Sequence, residues 1–315
     1  MLSTLIWLFN FNNSTNDTLL NAKTMNKVIL VTGSSSGFGK LMSQSLAMAG
    51  HTVYASMRDL TTRNAENASL LQHWAIENRC DLKVIDLDVT VPGSIEKAVT
   101  EIYSKQGGID VLINNAGHGS MGITEDYTDE LVRRQFETNV FGVFNTTKAV
   151  IPVMKEAKDG LIITISSGLG RIVIPSLEVY CASKFAVEAL AEGWRYELAP
   201  LGIDSIIIEP GAYPTTNFLN ASYANSPRRS GRIYGYDGLK EFMDGWAENL
   251  QESLKNGTAP NPQDVADIVV KLVDTPHGNR PLRTVVDARL ETYLNPLNRT
   301  TDEIEAGMLQ SFQTA

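Results

Sequence analysis

Six short, almost wholly apolar runs, each followed by a segment of helical period, constrain this chain more than anything else in it. They are KVILVTG from 27, TVYASM from 52, LKVIDLDV from 82, IDVLINNAG from 109, GLIITISS from 160 and GIDSIIIEPG from 202. Apolar runs of that length without alternation suit strands buried on both faces of a parallel sheet. Between them, GKLMSQSLAMAG (39–50) has helical spacing and ends at Gly50, and a polar helix is expected near 63–79. PGSIEKAVTEIYSKQG carries Pro92 at a helix start, and 128–157 predicts a long helix or helix pair. Further helices are expected at 178–197 and 262–273, and RTVVD adds a short strand. Strand and helix in alternation demand right-handed crossovers, hence an α/β fold: a doubly wound parallel sheet with helices on both faces.

A chain of 315 residues could hold one large domain or two. No second alternation of sufficient length exists, so a single domain over 26–315 is expected. Residues 212–260 interrupt the rhythm with Pro214, Pro227, Gly231, Gly235 and Gly238 and read as an insertion built of turns. The first 25 residues read as a disordered extension. Their opening MLSTLIWLFNF is apolar but too short to span a bilayer and lacks the basic start of a signal peptide. The glycosylation-type triplets at Asn12, Asn13 and Asn16 matter only in a secreted protein. A cytoplasmic setting is expected, with no membrane span. The net charge of −9 argues against a nucleic-acid partner. Cys80 and Cys181 form no disulfide framework, and Cys181 reads as core filler. Four scattered histidines, at 51, 73, 118 and 277, form no metal cluster.

Two places carry chemistry. TGSSSGFG (32–39) joins the first strand to the first helix, and its glycines let the backbone approach a ligand while the helix start offers free N–H groups to phosphate. EVYCASKFAVEAL (178–190) sets Tyr180 and Lys184 four residues apart, on one helical face. That pair is either a packed phenol beside a lysine stem or a phenol whose pKa a neighbouring cation lowers so that its proton can move.

With NNAG at 114–117, SS at 166–167 and PG at 210–211 followed by Thr215, the order and spacing of these motifs resemble the short-chain dehydrogenase/reductase family. The resemblance covers roughly 26–290 and implies a Rossmann-type fold and an oxidoreductase exchanging hydride between a nicotinamide cofactor and a carbonyl or secondary alcohol. By that resemblance Tyr180 is the general acid/base. Lys184 lowers the Tyr180 pKa and bonds the nicotinamide ribose, and Ser167 holds the substrate oxygen. Asn139 holds a water in a proton relay. Ser166 is the neighbouring alternative to Ser167, with a strand-end hydroxyl bonded to backbone as its ordinary role.

Cofactor contacts are expected from Gly33, Ser35, Ser36, Gly37, Phe38 and Gly39, from Asp88 and Val89 at the adenine, from Asn115, Ala116 and Gly117, and from Pro210, Gly211 and Thr215. Asn114 is expected to tie neighbouring strands. The second strand reaches Met57 where an acidic residue would select NAD, and Arg58 follows. This suits NADP(H) over NAD(H), since Arg58 can grip a 2′-phosphate. Asp59 is the competing acidic residue, or else the ion-pair partner of Arg58.

RYELAPLGI and RPLRTVV resemble family members acting on steroids, retinoids and other apolar alcohols. The partner is then a small alcohol or ketone, and the resemblance implies a homodimer or homotetramer built on the helices of Asn139 and Tyr180. A non-catalytic NADP(H) sensor is the alternative, and its mark would be a broken set of these four residues. The aromatics Tyr213, Phe218, Tyr223, Tyr234, Tyr236, Phe242 and Trp246, in a segment that follows PG at the carboxyl edge of the sheet, make the 212–260 insertion an expected mobile substrate-binding lid, with a fixed scaffold as the ordinary alternative.

Overall fold

The computed structural model describes residues 26–227 and 236–313. The six runs become strands and a seventh joins them: β1 (Val28–Val31), β2 (Thr52–Met57), β3 (Leu82–Asp86), β4 (Val111–Asn114), β5 (Gly160–Ile165), β6 (Ile203–Pro210) and β7 (Arg283–Val286). Every neighbouring pair is parallel, in the order β3-β2-β1-β4-β5-β6-β7. The helices are α1 (Gly37–Met48), α2 (Ala65–Glu77), α3 (Pro92–Gln106), α4 (Asp129–Phe136), α5 (Gly142–Ala157), α6 (Glu178–Leu198), α7 (Phe218–Ala224), α8 (Asp237–Lys255), α9 (Gln263–Asp274) and α10 (Ala288–Gln313).

Successive strand residues point to opposite faces, and both faces are covered. Ile29, Val31, Val53, Ile113 and Ile163 pack against Met42 and Leu46 of α1, Leu71 of α2 and Val269 of α9. Leu30, Tyr54, Leu112 and Ile162 pack against Ile102 of α3, Val150 of α5 and Val187 of α6. This double burial is why the runs are continuously apolar. α3 starts at Pro92, where no N–H is needed, and stops at Gly107 in the left-handed region, φ 77°.

Three elements differ from the sequence expectation. Between α4 and α5 the chain makes one π-helical turn, Glu137–Phe141, which lets two helices run on as a nearly continuous rod. The 212–260 insertion is not mainly turns. It holds α7 and the 19-residue α8, because Leu239, Met243, Trp246 and Leu250 recur at helical spacing and Gly238 and Gly245 face open space. The 26-residue α10 also went unread, being polar along most of its length with Pro296 inside. The expected extension at 1–25 lies outside the described residues, as does 228–235 of the insertion with Gly231, Gly235 and Tyr234. Among the described residues no helix is long and apolar enough to cross a membrane, and no group of side chains could hold a metal ion.

Candidate active site

Strand order reverses between β1 and β4, which opens a crevice at the carboxyl ends of the strands. The turn after β1 lines it. Gly33 has φ +71°, and a Cβ there would come within 2.8 Å of Ala116 Cα. A Cβ on Gly39 would strike the Gly33 carbonyl and stand 2.5 Å from Asn115 Nδ2. Gly37, φ +55°, faces open space, and Ser36 makes no side-chain cap, so the first N–H groups of α1 face outward uncapped. Ser35 and Ser36 flank them. This is a cradle for an anion, and it fits the pyrophosphate of a dinucleotide.

Asn115 sews the cradle together: its Nδ2 donates to the carbonyls of Thr32 (2.8 Å) and Gly33 (3.1 Å), and its N–H donates to Thr32 Oγ1 (2.9 Å). The strand tie expected of Asn114 therefore belongs to Asn115. Asn114 points the other way, into the helical layer, and donates to Thr147 Oγ1 of α5 at 2.9 Å. Phe38 offers only backbone to the cradle, since its ring packs edge-on against Tyr213, 5.1 Å between centroids.

Tyr180 and Lys184 share the buried face of α6 at its amino-terminal turns. Lys184 Nζ donates to the Ile165 carbonyl at 2.8 Å and lies 5.8 Å from the Tyr180 ring centroid. Burial holds its pKa down to about 8, with Glu188 pulling the other way. The expected lowering of Tyr180 is absent. Burial pushes the phenol above its ordinary range, and the Ser167 hydroxyl beside it only partly opposes that. The Lys184 ammonium donates to the Ile165 carbonyl and not to the phenol. Ser167 caps the short turn Gly168–Gly170, its Oγ accepting from Leu169 N at 3.1 Å.

Asn139 lies in the π turn, where the widened helix sets its amide against the loop after β4. Nδ2 donates to the His118 carbonyl (2.8 Å) and to Ser183 Oγ (3.0 Å), while Oδ1 accepts from His118 N (3.0 Å). Both side-chain donors are spent on protein. Ser183, unread in the sequence, links Asn139 to α6 by donating to the Tyr180 carbonyl at 2.7 Å. Its only sequence signal is its place between Tyr180 and Lys184. His118, which burial and nearby Arg134, Arg58 and Lys184 hold at a pKa of about 4, borders the crevice as a neutral ring.

At the far side, β2 ends at Met57, and Arg58 turns toward Asp88, Nη1 to Oδ2 3.6 Å. The expected Arg58–Asp59 pair is thus replaced by Arg58–Asp88. Asp59 is exposed in a left-handed turn, φ 56°, beyond the strand end. Burial pushes the Asp88 carboxyl up, but Thr90 through its N–H and hydroxyl, with Arg58, brings it below its ordinary value. Val89 is buried and a Cβ on Gly142 would meet its Cγ2 at 2.7 Å. Pro210 ends β6, Gly211 leaves no room for a Cβ beside the Asp287 carboxylate, and Thr215 is exposed in the next turn. Gly117 faces the crevice loop, a Cβ there coming 3.2 Å from Asn139 Oδ1.

α7 and α8 cover the site. The Phe218 ring lies 5.4 Å from that of Tyr180, and a Cβ on Gly119 would come within 2.9 Å of Phe218. Met121 N donates to Ser226 Oγ at 2.7 Å, tying the cover to the loop after β4. Met243 of α8 joins Met121, Leu177, Cys181 and Tyr180 in one apolar cluster flanked by Leu239 and Trp246. Only 6% of Tyr180 is exposed beneath it.

A family model described as short chain dehydrogenase matches residues 27–226. The chain is 36% identical over 263 residues to the 3-ketodihydrosphingosine reductase of Bacteroides thetaiotaomicron, covering 82% of this chain and 87% of that one. A crystal structure of a short-chain dehydrogenase from Streptomyces avermitilis superposes with a TM-score of 0.71 at 30% identity, covering 92% of this chain and 99% of that one. A variant of the actinorhodin polyketide ketoreductase, solved with NADPH, also gives 0.71, at 26% identity over 87% of this chain and 100% of that one.

Proposed function

The chain belongs to the short-chain dehydrogenase family of oxidoreductases, and from that premise we propose that it reduces apolar ketones to secondary alcohols with NADPH, Tyr180 giving the proton. The observation that carries this reading is the meeting of Tyr180, Lys184, Ser167 and the Asn139-held loop at the mouth of a glycine cradle.

Gly33, Ser35, Ser36, Gly37, Phe38 and Gly39 would hold the pyrophosphate through backbone N–H groups. Asp88 and Val89 would border the adenine, and Asn115, Ala116 and Gly117 would run along the cofactor. Pro210, Gly211 and Thr215 would flank the nicotinamide. Arg58, half-exposed past Met57, would pair with a 2′-phosphate, and Asp88 holds its guanidinium at that edge. A nicotinamide bound there supplies the hydride.

The protein's own part is proton and oxygen. Ser167 Oγ donates toward the substrate oxygen, while Tyr180 Oη gives it a proton as the carbonyl carbon is reduced. A phenol kept protonated by burial is the form that donates a proton to a carbonyl oxygen. Lys184 keeps a cation on the same face, against the sugar of the cofactor. The four residues are all present, so nothing favours a non-catalytic sensor. The apolar lining of Met121, Leu177, Met243 and Phe218 supports an apolar substrate, as does a relative named for reducing a ketone. The helices of Asn139 and Tyr180 expose Phe141, Phe144 and Phe185, a surface suited to a second subunit.

Fluorescence titration with NADPH and NADH, followed by a panel of aliphatic ketones, tests the reading. Tighter binding of NADPH by tenfold or more, with NADPH consumed only when ketone is present, is the expected result. Failure to bind either nucleotide would overturn it.

A further inference from the structure

Behind the Tyr180–Lys184 face lies a buried charge cluster that the proposed chemistry does not use. Arg283 of β7 has only 2% of its side chain exposed and reaches four carboxylates. Its Nε lies 3.0 Å from Glu188 Oε2 and 3.6 Å from Glu209 Oε1, its Nη1 3.3 Å from Asp302 Oδ1, and its Nη2 bonds Glu192. The cluster joins two distant stretches of the sequence, α6 with β6 and β7 with α10. Asn298 of α10 donates to Glu209 Oε2 at 2.7 Å and accepts from Arg171 Nε at 2.9 Å, which closes it from the side of the turn after β5.

One carboxylate touches the site. Glu188 follows Lys184 by four residues on α6, so the two stack on one face, and both are buried. Its other side meets the strand end that carries Ser167. A Cβ on Gly170 would come 2.6 Å from Ser166 Oγ and 3.2 Å from Glu188 Oε1, so these two atoms share one small space. Among the described residues neither atom has a partner within hydrogen-bond geometry, and the Ser166 hydroxyl beside Glu188 favours its charged form. Ser166 therefore serves the carboxylate and not, as its position at a strand end suggested, the backbone.

We propose that Glu188, clamped by Arg283, is a positioning residue that keeps the Lys184 ammonium charged in its buried place. This rests on the reading of Lys184 given above. Burial alone drives the lysine toward its neutral form, and Glu188 is the group that opposes it. Among the described residues, Lys184 also neighbours the Tyr180 ring, the Ile165 carbonyl and the neutral His118 ring. Burial pushes the Glu188 carboxyl above its ordinary value, and Ser166, Arg283 and Arg171 oppose that rise. Burial and the neighbouring Glu188 charge raise the pKa of Glu209, the most buried of these carboxylates, to about 7. The placement of β7 and α10, through Arg283 and Asn298, thus reaches the active-site lysine.

The test follows the ionisation of Lys184 by NMR of the full chain labelled with 13C-lysine, free of cofactor, the signal assigned by its loss in Lys184→Arg. Glu188→Gln keeps shape and bonding but removes the charge. Its Lys184 titration should move down by about one pH unit, so that near pH 8 the charged fraction falls from about half to about a tenth. Glu192→Gln also loses a contact to Arg283 but lies one turn farther from Lys184, and it should leave that titration within about 0.3 units. Should Glu188→Gln fail to fold, Glu188→Asp, whose carboxylate is withdrawn by one methylene, should give a smaller shift of the same sign. A Lys184 titration unmoved in the folded Glu188 variant, or moved equally by Glu192→Gln, overturns the proposal. The readout needs no turnover, so it stays separate from the role of Lys184 in the reaction, which Lys184→Ala tests.

Discussion

The floor of the site and its cover are built by opposite means. The floor, from Thr32 to Lys184, is held by backbone and short polar side chains: Asn115 on Thr32 and Gly33, Asn139 on His118 and Ser183, Lys184 on Ile165. Gly33 and Gly39 stand where a Cβ would hit another backbone atom. The cover, α7 and α8, rests on apolar contacts, Phe218 on Tyr180 and Met243 on the cluster around it, with few polar ties such as Ser226 to Met121. Directional bonds fix atoms to fractions of an ångström, and non-directional contacts tolerate repacking. Chemistry that needs fixed distances therefore belongs to the floor, and substrate choice to the cover.

That contrast can be broken at graded points. The largest effect is expected from Lys184→Ala on the floor, which removes both the cation beside Tyr180 and the ribose contact. kcat/KM should fall by about 10²–10⁴-fold and NADPH affinity should fall with it, as steady-state kinetics and fluorescence titration will show. Arg58→Ala, at the edge of the floor, should weaken NADPH by about one to two decades and leave NADH nearly unchanged. Equal losses for both nucleotides would make Arg58 a structural partner of Asp88 only. A third break needs no mutation. Lys184 loses its proton as pH rises through about 8, so kcat/KM should decline above that pH, by about tenfold per unit. A profile flat to pH 10 would show that the ammonium is not required.

The smallest effect is expected on the cover. Phe218→Ala should leave kcat within about twofold while raising the kcat/KM of bulky over small ketones by about tenfold or less. A collapse of kcat would mean that the cover shares in the chemistry and that the contrast is wrong.

The same contrast explains what could be read in the sequence. The floor was legible because its needs are local. Three glycines at a strand–helix turn, and a phenol and an amine one helical turn apart, leave a pattern within eight residues. The sheet was legible because burial on both faces forces unbroken apolar runs. What escaped depends on contacts between distant segments. Arg283 meets Glu188, which stands 95 residues earlier, and no spacing announces such a pair. The strand tie expected of Asn114 falls to Asn115 because adjacent strand residues face opposite sides, and only the position of α5 decides which amide meets Thr147. The raised Tyr180 pKa is not legible in the sequence, which places Lys184 on the same face but cannot show how deeply the phenol is buried. In the insertion, glycine and proline counts outweighed the helical recurrence of Leu239, Met243 and Trp246, and α8 was taken for turns.

The account stands on a proton from the floor accompanying a hydride from the cofactor. Its most direct test is single-turnover reduction of an aliphatic ketone with NADPH deuterated at C4, in the native protein and in Tyr180→Phe. The native protein should place deuterium on the carbinol carbon of the alcohol. Tyr180→Phe, which keeps the ring against Phe218 and loses only the hydroxyl, should bind NADPH with unchanged affinity and form alcohol at least 10²-fold more slowly. Alcohol without deuterium, or a Tyr180→Phe variant that turns over at the native rate, would contradict the account.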